Sequence, residues 1–255
     1  MSNRKCWAEC LGDCSDKRSG EHIVTKGLFN EEVYVQGLSW CKEPKRIGIN
    51  SLTKNILCRD HNTKLSAVDD AAIAAFEVLR EHVRLTSVRE QMTERHWTRR
   101  RLKIGGDKLE RWFLKTLINL AVGGKQKIGP SSTVAGEPSC DLVEIAFGKS
   151  KFTGSAGLYN SGEVGEKIDS DDRVTIVSFF DRANEFVLGA VFHFRGFRFM
   201  LALDETGFPG NVTVNHQDGQ KTTIYAKPLR HLKAIRVLVG PSQKYLSHSI
   251  DFKWT

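Results

Sequence analysis

Leu57-Cys58-Arg59-Asp60-His61-Asn62 is the stretch on which the reading turns. It sets a thiol and an imidazole three residues apart, on a turn leading into a helical pattern that becomes regular near Val68. Upstream, Cys6, Cys10 and Cys14 recur at four-residue spacing, and Glu21-His22-Ile23-Val24 follows them. Two groups of soft ligands on either side of a loop read as a metal-stapled knuckle. Thiolate and imidazole are the donors that Zn2+ prefers, in a closed tetrahedron when the ion is structural. Cys58 and His61 form one half of such a site. The other half needs two of Cys6, Cys10 and Cys14. Cys10 and Cys14, nearest the Glu-His segment, are preferred; Cys6 with either stays open, and Cys41 beside Trp40 is a further substitute. The competing reading is three buried thiols lining one helical face.

Composition frames that knuckle. Five of the six cysteines fall in residues 1–66, a segment with few apolar runs of its own. A structural metal is the usual remedy for so small a core. The N-terminus lacks an apolar stretch of the kind that directs secretion, which points to a reducing, cytoplasmic setting where clustered cysteines bind metal rather than form disulfides. No run of 18 apolar residues exists, so no membrane-spanning helix is expected. The net charge of +8 favours polyanionic partners, nucleic acid first.

Periodicity then divides the chain. Residues 67–124 read as helical. Ala72, Phe76, Leu79 and Val83 share one face of a 3.6-residue period. After Gly105-Gly106, Asp107 and Glu110 have capping-box spacing, and Leu109, Trp112, Phe113, Leu117 and Leu120 carry a second helix to Gly123-Gly124. Residues 125–140 mix Gly, Ser, Pro and Lys and read as a linker. Residues 141–255 read as antiparallel β structure, with strands near 173–180, 185–194, 197–203, 222–226, 234–239 and 249–254 and a tight hairpin at Arg195-Gly196. In the first hairpin arm Phe186, Leu188, Ala190 and Phe192 alternate, so that face is expected to be buried. The predicted class is α+β: a metal-bound module over 1–66, a helical middle and a C-terminal antiparallel β domain.

The two N-terminal motifs resemble a known family. Glu21-His22-Ile23-Val24 resembles the Asp/Glu-His-Ile-Ile signature of HNH nucleases, a ββα-metal fold. Leu57-Cys58-Arg59-Asp60-His61-Asn62 resembles that family's Leu-Cys-x2-Cys-(His/Asn) element, with His61 in place of the second Cys. The resemblance covers about residues 1–80. It implies an endonuclease hydrolysing phosphodiester bonds in DNA. His22 would be the general base, with Glu21 and Asn62 holding a catalytic Mg2+ or Mn2+ beside the structural Zn2+. Those residue types suit the chemistry. Water must lose a proton to a base, and a hard cation on oxygen ligands must neutralise charge on the phosphate. The plainer roles are a zinc-ligating or core histidine for His22 and an N-cap for Asn62.

Basic residues extend the nucleic-acid reading. Arg95, Arg99, Arg100, Arg101 and Lys103 follow the first helix with His96-Trp97 among them, a cationic stretch with an aromatic that can track phosphates and stack a base. The alternative is a solvated helix end. Lys108, Arg111 and Lys115 share a face of the second helix. The layout suits a nuclease with an appended specificity domain, as in host-defence effectors. The other readings are a non-catalytic zinc module that docks nucleic acid or a protein, and a subunit whose β domain binds another chain.

Overall fold

The computed structural model describes residues 6–28, 32–36, 41–43, 45–48, 51–93, 97–161, 174–181, 183, 186–194, 196–204, 211–215, 221–228 and 234–255. In chain order the first part forms β1 (Arg18–His22), β2 (Glu32–Gln36), β3 (Lys45–Gly48), β4 (Thr53–Cys58) and α1 (Arg59–Glu90). Next come β5 (Arg100–Gly105), α2 (Gly106–Gly124), β6 (Lys127–Ile128) and α3 (Cys140–Phe147). Strands β7 (Gly157–Ser161), β8 (Val174–Phe180), β9 (Phe186–Phe194) and β10 (Phe197–Ala202) follow. The last strands are β11 (Asn211–Asn215), β12 (Lys221–Pro228), β13 (Ala234–Val239) and β14 (Tyr245–Lys253). The molecule is α+β.

Among the described residues these strands form three sheets. The pair β1–β4 is antiparallel. A nine-stranded sheet runs β11-β12-β7-β10-β9-β8-β2-β3, with β6 also against β9. A three-stranded sheet runs β13-β14-β5. The strands expected in the second half are there, but the sheets are mixed. β2 lies parallel to β8, β6 parallel to β9, and β5 parallel to β14. β2 and β3 thus enter the same sheet as β7 to β12. Such pairings join segments far apart in sequence, so local pattern carries no sign of them.

Helix α1 begins at Arg59, directly after Cys58, and not near Val68. The polar run Arg59–Lys64 hides its first turns, yet His61 and Leu65 already belong to the buried stripe that continues through Val68, Ala72, Phe76 and Leu79. Val83, expected on that stripe, is half-buried; His82, Leu85 and Arg89 continue it instead. The capping box of the second helix does not form. Gly105 is the N-cap of α2, Asp107 accepts from the Thr255 amide at 2.6 Å, and buried Glu110 accepts from the Leu158 amide at 2.8 Å. Both side chains serve distant backbone. Gly106 is required by contact: a Cβ there would stand 2.5 Å from the Trp254 ring.

The hairpin β9–β10 forms as read, closing Phe194 opposite Phe197. Gly196 takes the positive φ of 79° that such a turn needs; Arg195 lies outside the described residues. The buried face of β9 changes phase. Ala190 and Phe192 point inward as expected, with Phe194 after them, but before them Val187 is inward, and Phe186 and Leu188 are only half-buried. The pairing with β8 passes from Phe179–Gly189 to Phe180–Val187 and skips Leu188, and this extra residue in β9 advances its two-residue alternation by one.

Helix α2 is the centre of the core. Every residue from Trp112 to Ala121 is buried. A helix apolar on all sides is one enclosed on all sides. Phe113 meets Phe192 and Phe199 of the large sheet at ring distances of 4.5 and 5.4 Å, and Trp112 meets Phe76 of α1 at 5.2 Å.

Candidate metal centre

Trp7 and Ala8 are buried and anchor the start of the described chain, and the Trp7 amide donates to the Ile56 carbonyl at 3.0 Å. A 3-10 turn, Glu9–Leu11, follows. Gly12 and Asp13 then both take positive φ, 72° and 53°, and reverse the chain. The reversal returns Cys14 toward Cys6. From the other side, β4 delivers Cys58 as the N-cap of α1, and the first turn of α1 delivers His61. Cys58 Sγ accepts from the His61 amide, and the Cys58 amide donates to Cys6 Sγ at 3.3 Å.

The result is a Cys3His cluster. The sulfurs of Cys58, Cys6 and Cys14 stand 3.2, 3.4 and 3.6 Å from His61 Nδ1. All four ligand atoms lie within 4.8 Å of one another, close enough to hold one metal ion. Cys6, Cys58 and His61 are buried and Cys14 is exposed. Burial, then the neighbouring Cys6 and Cys58, pushes the Cys14 thiol up to about 12. Burial also raises Cys6. Burial acts on Cys58 the same way, but hydrogen bonds from His61 and Ser15 outweigh it and hold that thiol below its ordinary value. Burial lowers His61, keeping the imidazole neutral and able to ligate. Its other nitrogen, Nε2, is buried without a hydrogen-bond partner among the described residues, and its ring meets Phe147 of α3 edge-on at 5.4 Å.

The preferred pairing of Cys10 with Cys14 is corrected: the cluster takes Cys6 and Cys14. Cys10 sits on the 3-10 turn with its thiol hydrogen-bonded to Cys140, at the start of α3. That thiol is pushed up to about 12, first by burial and then by Cys140. Cys41 lies elsewhere, its thiol donating to the Val35 carbonyl at 2.9 Å.

The three residues carried over by the resemblance have different surroundings. Glu21 is buried and bonded within the protein. Lys115 Nζ lies 2.6 Å from its Oε1 and 2.7 Å from Asp69, and Asn119 donates to the same Glu21 oxygen at 3.2 Å. Trp7 donates to Asn119 and Trp112 to Thr25, which in turn donates to Asp69, so the network is closed. Burial raises the Glu21 carboxyl and Lys115 opposes the rise. The expected metal ligand is therefore a structural ion-pair partner. Lys115, read as part of a basic helical face, is its counter-ion, and Arg111 donates to the Ala146 carbonyl at 3.0 Å. Of that face Lys108 alone is exposed. Sequence reasoning missed this network because a lysine inside an apolar helix shows no partner in its own segment.

His22 ends β1 opposite Thr53, half-buried and with no hydrogen-bond partner among the described residues. Strand alternation puts it on the other side of β1 from Glu21. Asn62, in the first turns of α1, donates to Ser19 Oγ at 2.8 Å, and its amide oxygen has no partner among the described residues. Arg99, Arg100, Arg101 and Lys103 are exposed on and beside β5, a strand and not a helix end; Arg95 and His96 lie outside the described residues. Arg100 is tied to Glu81 of α1 at 2.9 Å. Among the described residues no helix is long and apolar enough to cross a membrane.

Comparison of the chain with protein-family models, with curated proteins and with solved structures gives no match. The fold and the site define an α+β protein with a Cys3His centre competent to hold a metal ion.

Proposed function

We propose that the ion is zinc and that the chain is an HNH-like endonuclease acting on DNA, with His22 as general base. Support for zinc comes from the donor set and its dimensions. A tetrahedron with Zn–S of about 2.3 Å and Zn–N of about 2.1 Å has S···N edges of about 3.6 Å, and the cluster's edges to His61 Nδ1 are 3.2 to 3.6 Å. Four protein ligands leave no open position, so this ion is structural.

One observation carries the nuclease reading: β1 pairs with β4, which runs directly into α1 beside the ligand cluster, and a half-buried His22 without a hydrogen-bond partner among the described residues closes β1; β2 and β3 intervene in the chain between the paired strands. An imidazole exchanges protons near neutral pH and can take one from water attacking a phosphodiester. A second, catalytic cation fits less well. Asn62 offers an amide oxygen without a partner among the described residues, but the Glu21 carboxylate is neutralised by Lys115.

That ion pair favours a second reading, a zinc module that binds nucleic acid or a partner without cutting it. Purified protein should nick plasmid DNA in the presence of Mg2+ or Mn2+, and His22→Ala should lower the rate about 10²–10⁴-fold with zinc content unchanged. Wild-type protein inert with every divalent ion favours the binding module.

A further inference from the structure

We infer that the solvent face of the β13-β14-β5 sheet is a nucleic-acid-binding surface that grips the phosphodiester backbone through Arg99, Arg101, Lys103, Arg236 and Lys253. The inference rests on the nucleic-acid half of the proposed function and not on catalysis. One face of this sheet is closed: His248, Ile250 and Phe252 of β14 and Ile104 of β5 are buried, with α1 and α2 packed against these strands. The other face is open. Register places Arg101 of β5 beside Ser249 of β14, and Ser249 opposite Arg236 of β13. The next row sets Lys103 beside Asp251, and the one after sets Lys253 beside Gly105. Arg99 precedes β5 by one residue and continues its alternation with Arg101 and Lys103.

All five cations are exposed, and none makes an ion pair among the described residues. The carboxylate in their midst, Asp251, accepts instead from Ser249 Oγ at 2.7 Å. Arg100, on the same strand, is paired with Glu81 of α1 and is not part of the set. Residues two apart on a strand are about 7 Å apart, and strands two apart about 10 Å. Like charges at that spacing, near one Debye length of about 8 Å, repel one another and lower stability. A linear polyanion relieves that cost along its whole length.

The test is fluorescence anisotropy of the full chain with labelled single- and double-stranded oligonucleotides across a salt series. Arg101→Glu with Arg236→Glu should weaken binding at least tenfold and flatten the salt dependence. Lys17→Glu with Lys125→Glu, the same charge change away from this face, should shift affinity less than threefold. Arg101→Gln with Arg236→Gln guards against misfolding and should give an intermediate loss. Equal effects of the two glutamate pairs overturn the surface, as does binding to phosphatidylserine vesicles without binding to oligonucleotide. Oligonucleotide bound on this face but never cut removes the nuclease reading and leaves the surface standing; cutting indifferent to the sheet variants removes the surface alone.

Discussion

The ligand choice at the centre is a matter of single residues. Cys6, Cys10 and Cys14 are equivalent by spacing, and a turn separates them. The positive φ values at Gly12 and Asp13 bring Cys14 back to the cluster and leave Cys10 against Cys140. Serine at Cys6, Cys14 or Cys58 should therefore abolish stoichiometric metal by elemental analysis, while Cys10→Ser keeps it. Lys115 is the other decisive residue. It is fully buried between Glu21 and Asp69, and removing one partner of a buried ion pair leaves uncompensated charge. Lys115→Met should cost about 3–5 kcal/mol in urea unfolding. Adding Glu21→Gln should recover part of the loss, because one of the two stranded carboxylates is then neutral.

At the scale of elements, the contact between α1 and β14 contains a buried histidine pair. Arg89 can only donate, and it reaches Ser247 Oγ at 3.3 Å. Ser247 Oγ is hydrogen-bonded to His248 Nδ1 at 2.7 Å, and His248 Nε2 to His82 Nδ1 at 2.8 Å. Burial pushes both imidazoles down to about 4, His82 with the help of His248 and His248 with that of Arg89. Both are neutral in the fold, whereas an unfolded histidine binds a proton below about 6.5. Unfolding therefore takes up protons between pH 6.5 and 4. Stability should be complete above that window and fall through it, by about 3 kcal/mol for one such histidine. Chemical denaturation at pH 7 and pH 4.5 measures the difference, and His82→Gln should flatten the slope. The join of β5 to α2 is a second element-scale constraint. Gly106→Ala sets a methyl against the Trp254 ring and should lower the melting temperature by several degrees, through the 1–3 kcal/mol that overpacking costs.

For the whole molecule, the metal centre ties the N-terminal segment to α1 and, through His61 and Trp7 against Phe147, to α3. The ion's binding energy contributes to folding wherever the apo site is less ordered. A chelator should lower the melting temperature and open the exposed bonds after Lys17 and Arg18 to trypsin, while the β9–β10 hairpin stays protected; limited proteolysis read by mass spectrometry checks both.

The sequence by itself determined what local chemistry can encode: the α+β class, the long apolar stripe of α1, the strands and hairpin of the second half, and Cys58 with His61 as half of a ligand set. Each of these is written in residues a few positions apart, through periodicity, turn-forming glycine or donor type. The tertiary structure alone decided which cysteines join them, that Glu21 answers Lys115 instead of a metal ion, and that Arg100 and Arg101 lie on the edge strand of a sheet whose central strand is β14. It also set strands 32–48 beside strand 174–180. These are partnerships between distant segments, and their energies come from burial: a carboxylate, a lysine or a thiol has no preferred partner until folding removes water and leaves the nearest complementary group as its sole solvation.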